Sequence, residues 1–304
     1  MRAVIECEGA PRDLGRDQGA ACRAVLGRAH ASASLWQRLR WRSGVSDARS
    51  ARTARDVARH FPRHAEALEG LARGAEVPRA WLDARLARVL AQPDLLGRGC
   101  GIAAAPASGG AFLALALPSE WLLRRARPEG GIPCLEIAPP WFGGAMAAVS
   151  EAGVAAAVIG YPAGSDPGVC AAPAALLVQD ALHRSESLSG AIDWCLRRPS
   201  GGRATLLFAD ATGEVAGIRV ESAAKSVLRP ADGLLVETLP AERSRAIAKR
   251  LRDGARADAG APFDEAGAML ARTFDTAAVV LEPATRSAIL HTPDARPEVA
   301  QLGG

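Results

Sequence analysis

The stretch GRGCGIAAAPASGGAFLALALP, residues 97–118, is where the chain changes its hydrophobic period. Upstream of it, apolar residues recur at helical spacing. Within and after it, short apolar runs are bounded by Gly, Pro or Ser, which is the pattern of consecutive strands. Residues 99–105 and 111–117 read as the first two strands. Upstream, Pro11 suits a first helical turn, and Leu14, Ala21, Val25 and Ala29 follow near helical spacing. Gly15 and Gly19 lie four apart on one face of that helix. Each costs about 1 kcal/mol of helix propensity relative to Ala, so a close packing contact is expected there. A second helix follows Pro62, with Ala65, Leu68, Leu71 and Ala72 on one stripe and Gly74 as a stop signal. A third runs over residues 78–90.

Downstream, strands are expected at 134–138, 145–150 and 154–160. Helices follow at 173–183 and 187–196, then strands at 205–209, 215–220, 226–228 and 234–237. Helices at 241–252 and 264–272 precede two closing strands, 277–281 and 287–291. Residues 252–264 read as a mobile loop. This order lacks the regular alternation of a doubly wound fold. It predicts an α+β protein: a four-layer αββα sandwich of two antiparallel sheets covered by helices. The organisation is a single domain, 1–304, with a helical N-terminal segment (1–99) and a sandwich portion (100–304). No GxGxxG follows a strand and no P-loop is present, so nucleotide-binding readings are weak.

Composition narrows the function classes. The chain has 304 residues, 49% hydrophobic and 23% charged, which argues against disorder and collagen-like repeats. Aromatics are only 4%, so the core must be mostly aliphatic. The cations are 35 Arg and two Lys, and residues 1–60 hold 12 Arg against six acids. No aromatic interleaving or groove-reading motif accompanies them. The surplus therefore reads as a solvated helical face and no nucleic-acid partner is expected. Six Cys at irregular spacing, with no CxxC pair, argue against a structural zinc site or a disulfide framework. Glu6 and Glu8 stand where a signal peptide needs an apolar run. Residues 101–118 are broken by Pro106, Ser108, Gly109 and Gly110 and cannot span a bilayer. A cytoplasmic protein with reduced thiols and no membrane partner is expected.

Cys100 is the candidate for chemistry. It stands between Gly99 and Gly101 at the junction of the helical third and the first strand. Glycines there free the backbone and allow close approach by another group, which suits a nucleophilic thiol. The alternative is a small buried hydrophobe. The other five Cys read as structural. The five His show no HExxH or other ligand spacing, so no metal is expected.

Several segments, in order, resemble the acyl-coenzyme A:6-aminopenicillanic acid acyltransferase family, the C45 peptidases, within the N-terminal nucleophile hydrolases. EGAPRDLGRDQGA is similar to the family's G-x-P-x-x-x-G-x-x-x-G segment, through Gly9, Pro11, Gly15 and Gly19. ALEGLARGAEVP (67–78) resembles a helix rich in E-x-x-G-x-A-x-G-A, and the Gly99-Cys100 pair resembles the processing site. RRARPEGGIPCLEI, AVSEAGVAAAV, LLFADATGEVAGIRVE, PADGLLVET and TFDTAAVVLEPATRSAIL resemble the later strands. The resemblance implies self-cleavage between Gly99 and Cys100, giving fragments 1–99 and 100–304. The freed Cys100 would carry both the nucleophilic thiol and the α-amine that serves as its base. The thiol would be exposed in a cleft between the two sheets. Substrates would be small-molecule amides or acyl thioesters, with no metal or organic cofactor.

The chain departs from the family pattern at the site. Gly101 stands where Thr or Ser is usual. The N-x-D of the second strand reads Ala116-Leu117-Pro118, with Glu120 two residues further on. The family's T-N-H reads Thr238-Leu239-Pro240, and the chain contains no Asn at all. Arg243 or Arg245 corresponds to a family Arg. Gly101, Glu120, Thr238 and Arg245 are therefore the candidate supports of Cys100. Two functions are carried forward: an amide-acting cysteine enzyme, and a catalytically degenerate member with a binding or scaffold role.

Overall fold

The computed structural model describes residues 4–44, 47–96, 99–105, 110–161, 170–222, 224–238, 245–247, 249–250, 253, 262–293 and 295–303. The N-terminal third contains β1 (Ile5–Gly9), α1 (Pro11–Ala31), α2 (Leu35–Arg42), α3 (Ala48–His60), α4 (Pro62–Ala75) and α5 (Arg79–Val89). Local chemistry sets their ends. Pro occupies the first turn of α1 and of α4, where its missing N–H costs nothing. Ser34 and Gln37 form a reciprocal capping box on α2, and Asp47 caps α3. Glu76 ends α4 in the left-handed conformation, at φ 57°.

The rest of the chain supplies β2 (Cys100–Ala104), β3 (Phe112–Ala116), β4 (Leu122–Pro128), β5 (Cys134–Ala138), β6 (Ala147–Ser150) and β7 (Val154–Tyr161). Helices α6 (Leu176–Leu182) and α7 (Leu188–Arg197) follow, then β8 (Arg203–Asp210), β9 (Val215–Glu221), β10 (Ala224–Leu228) and β11 (Leu234–Thr238). Helix α8 (Pro262–Phe274), β12 (Ala278–Glu282), β13 (Ser287–Thr292) and β14 (Ala295–Gln301) complete the described chain.

Eight strands form one sheet in the order β1-β4-β5-β6-β7-β8-β9-β10, and six form the other, β11-β2-β3-β12-β13-β14. The sheets face each other through β2, β3 and β11 against β7, β8 and β9. Helices α1, α6 and α7 pack on the first sheet and α8 on the second. The architecture is the expected four-layer αββα sandwich. A large aliphatic cluster spans the intersheet space and the helices over the first sheet, and a second lies between the six-stranded sheet and α8.

Several expectations are corrected. The first hundred residues are not all helical: β1 joins the first sheet, parallel to β4, with Ile5 opposite Arg124 and Gly9 opposite Pro128. That pair is the one parallel ladder in either sheet among the described residues. Strand β4 escapes a hydrophobic reading because LLRRARP carries Arg inside the sheet. Strand β14 escapes it because it is a polar, largely exposed edge. Gly74 is no stop signal; the helix continues through Ala75, and Gly74 packs on α1 instead. The expected helix at 241–252 is helical at 245–247 and 249–250 and otherwise falls outside the described residues, as does most of the loop at 252–264.

Candidate functional site

Cys100 is the first residue of β2, and Gly99 before it has φ 64°, a conformation that favours glycine. Across the ladder, Cys100 is the register partner of Thr238 at the end of β11. Both are buried, at 0% and 3% exposure. Gly101 pairs with Leu115 of β3, so Ala116 stands at the Cys100 end of that strand.

The expected opening of the thiol between the sheets is not what the strand does. A Cβ on Gly101 would lie 2.7 Å from Ile159 Cδ1 and 3.2 Å from Leu207 Cδ1, both on the opposite sheet. Residue 101 therefore takes the intersheet side, where Ile159 and Leu207 pack against it. Strand alternation sends Cys100 to the other face. There it packs with Ile102, Ala116, Met269, Leu270 and Val280, under α8.

The structure brings Gly99, Cys100, Gly101 and Thr238 together at one end of the β2–β11 ladder. Glu120 is exposed, four residues past the end of β3, and its charge acts on Arg85 of α5. Arg245 is exposed on its helical segment, whose Ile247 enters the same cluster as Cys100. Leu239, Pro240 and Arg243 lie outside the described residues.

Sequence reading missed a second polar constellation. Arg124 of β4 and Glu136 of β5 are direct register partners, buried to 2% and 0% exposure. Arg124 Nη2 lies 2.6 Å from Glu136 Oε2, and its Nε donates to the same oxygen at 2.7 Å. Gln179 Nε2 donates to Glu136 Oε1 at 2.9 Å, and His183 Nε2 meets that oxygen at 2.7 Å. Arg124 also donates to Gln18 of α1 and to the Gly144 carbonyl. Burial alone would push the Glu136 carboxyl up, but Arg124 and then His183 outweigh it and hold it down to about 2. The available signal was a lone Glu inside the apolar run of β5, CLEIA, close in sequence after the Arg-bearing LLRRARP.

Cys134, Glu136 and His183 each place a ligand atom within 4.8 Å of the others. Both Glu136 oxygens are already taken by Arg124, Gln179 and His183, and the guanidinium beside them opposes a second cation. Burial, then Glu136, pushes the Cys134 thiol far up, which also disfavours the thiolate a metal needs. The donor set fits a charge network tying α1, β4, β5 and α6 together.

The fold class is that of an αββα sandwich with a cysteine opening an inner strand of its second sheet. No protein-family model matches the chain, and no curated protein matches it. Among solved structures it is similar to the Caenorhabditis elegans ortholog of N-acylethanolamine-hydrolyzing acid amidase, at 13% identity and TM-score 0.49, over 61% of this chain and 93% of that one. Penicillin V acylase from Agrobacterium tumefaciens aligns at 12% identity and TM-score 0.44, over 66% and 84%. A variant of the conjugated bile acid hydrolase from Clostridium perfringens aligns at 11% identity and TM-score 0.47, over 67% and 92%. Among the described residues, no helix is long and apolar enough to cross a membrane.

Proposed function

We propose that the chain is an amide-acting hydrolase or acyltransferase of the N-terminal nucleophile type, with Cys100 as its nucleophile. One observation carries the reading. Cys100 is the first residue of β2 in an αββα sandwich, directly after a Gly99 in the left-handed conformation. In the proposed maturation, the Cys100 thiol attacks the Gly99 carbonyl carbon. The Gly99–Cys100 C–N bond breaks and its nitrogen takes a proton, leaving a thioester. Water then cleaves the thioester, giving a Gly99 carboxylate and a free thiol.

The new chain end holds a thiol and an amine on one residue. With an ordinary pKa of about 7.7–8.0, the amine accepts the thiol proton near neutral pH. The thiolate attacks a substrate amide or acyl thioester, and water or an acceptor amine then removes the acyl group. Thr238, across the ladder from Cys100, is the support that fits this role, and Gly101 follows Cys100 on the face packed against Ile159 and Leu207. Exposed Glu120 and Arg245 are not needed by it. Fragment 1–99 would remain bound, since β1 is a strand of the first sheet and α1 packs on it.

A second reading, a non-catalytic member that binds rather than cuts, is favoured by the burial of Cys100 in the apolar cluster under α8. It is also favoured by Ala116 and Pro118 at the family's Asn and Asp positions. Removing one oxyanion donor alone costs on the order of 10²–10³ in rate. Denaturing mass spectrometry with N-terminal sequencing separates the two. Two fragments, one beginning at Cys100, that still co-elute in gel filtration are the result expected of the enzyme. An uncut chain after prolonged incubation would select the binding protein.

A further inference from the structure

A cleft of about 660 Å³ opens in the N-terminal helical layer between α1, α2, α3 and α5. Its size falls in the range of small-ligand sites, roughly 300–1,000 Å³. Trp41 forms an aromatic wall, the buried Trp81 lies behind it under Arg85 and His30, and Arg40, Arg49, Arg85 and Arg88 line the cleft. The one carboxylate in the lining, Asp47, is committed to capping α3: its Oδ1 accepts from Ser50 N–H and its Oδ2 from the Ser50 hydroxyl, both at 2.9 Å. Cations in the cleft therefore outnumber the carboxylates that could pair with them.

Two buried nitrogens beside it have no hydrogen-bond partner among the described residues, Arg85 Nε and His30 Nε2. The Arg85 guanidinium lies over Trp81 at 5.3 Å and over Trp141 at 5.1 Å. The His30 ring packs edge-on to Trp81 and tilted to Trp41. A buried polar group left unpaired is unfavourable, and Arg85 lines the cleft, so its Nε–H marks a place where an acceptor belongs. The walls set the rest of the ligand's shape. Trp faces favour a flat ring, and guanidinium groups favour a carboxylate in a two-pronged contact.

We propose that this cleft binds an organic anion consisting of a planar ring bearing a carboxylate. The ring lies against Trp41, and the carboxylate meets the arginines. The site shares no residue with the Cys100 end of β2 and stands or falls separately from the proposed amide chemistry.

Isothermal titration of the full chain with naphthoate, naphthamide and inorganic phosphate tests it. Naphthoate is expected to bind, with naphthamide and phosphate each weaker by about tenfold or more, a difference of about 1.4 kcal/mol. The double variant Arg49→Gln/Arg88→Gln, both exposed positions, should weaken naphthoate by a similar factor while keeping the native circular dichroism. Equal binding of naphthoate and naphthamide, undiminished binding by the folded double variant, or no binding of naphthoate at millimolar concentration would each overturn the proposal. Should the double variant unfold, the three ligands on the unaltered chain decide the question alone.

Discussion

Gly15 of α1 stands so close to Ala67 of α4 that a Cβ on Gly15 would sit 1.8 Å from the Ala67 carbonyl oxygen. The contact is reciprocal. A Cβ on Gly70 of α4 would lie 1.9 Å from the Arg12 carbonyl oxygen, and one on Gly74 would lie 2.2 Å from that of Arg16. The two helices therefore meet backbone to backbone, along Gly15 and Gly19 on one side and Gly70 and Gly74 on the other. This seam seats α1 against the first sheet, where Gln18 reaches Arg124 and the Pro140 carbonyl.

Replacing Gly15 or Gly70 by Ala should destabilise the protein although Ala is the better helix former. Ala gains about 1 kcal/mol of propensity, but the added methyl meets backbone that cannot rotate away, and overpacking costs typically about 1–3 kcal/mol, more where the neighbour is rigid. Gly27, on the same helix, has nothing within 4 Å of its would-be Cβ. Gly27→Ala should therefore stabilise by up to about 1 kcal/mol. Urea midpoints of the three variants check the contrast; a common sign for all three would contradict the seam.

Removing Arg124 should cost more than its exposed counterparts. Arg124→Met leaves the Glu136 carboxylate buried without its main counter-charge, a loss of roughly 3–5 kcal/mol. Adding Glu136→Gln removes the stranded charge and should restore part of it. Arg203→Met, which breaks a pair more than half exposed on both sides, should change stability by no more than about 1 kcal/mol. A double variant less stable than Arg124→Met alone would show that the pair is not what Arg124 serves.

Much of the sandwich was legible because its strands are short apolar runs separated by Gly, Pro and Ser, and because the period changes at residues 99–105. The strands that escaped were those whose environment contradicts their side chains. Arg124 is buried inside β4 because Glu136 waits beside it, a fact that exists only once β4 and β5 pair. Strand β1 is invisible for a related reason: IECEG has no apolar run, and its place is a backbone ladder with β4, in which Glu6 stands opposite Arg125 and also meets Arg127. At the candidate site, residue identity placed Cys100 at the start of a strand, but not which face its sulfur takes. That shows only once Ile159 and Leu207, far along the chain, pack against the Gly101 face of the strand.

Stability should fall with acid in two windows. His64 is buried and its Nε2 lies 3.0 Å from the Leu176 carbonyl oxygen, which accepts; burial holds the His64 pKa down to about 4, against an ordinary 6.5. Between these values the unfolded chain binds a proton that the folded chain refuses. The contribution of His64 is therefore complete above about pH 6.5 and is lost as pH falls toward 4, by up to about 1.4 kcal/mol per pH unit. Glu136, held down to about 2 from an ordinary 4.5, contributes above 4.5 and loses that contribution as pH falls toward 2. Urea unfolding from pH 7 to 3 should show the first slope in the parent chain and a shallower one in His64→Gln. Identical slopes would mean that His64 is not neutral in the fold.

Thiol reactivity should report the state of the Gly99–Cys100 bond. All six cysteines are buried and none is in a disulfide. Burial pushes Cys7 and Cys195 up to about 12 and Cys134 well above its ordinary value, so at pH 8 these thiols are protonated as well as hidden. An uncut chain should consequently react with an aromatic disulfide reagent only at the rate of local opening. Cleavage before Cys100 would release the start of β2 from the Gly99 side and put an amine next to its sulfur. One fast thiol per cut chain should then appear, and Cys100→Ala should lose it together with the cut. The decisive comparison is stoichiometric: the fast fraction, read by absorbance, should equal the cleaved fraction, read by mass. A fast thiol in uncut protein would point to a different cysteine, and cut protein with no fast thiol would leave Cys100 buried and unable to act as the nucleophile.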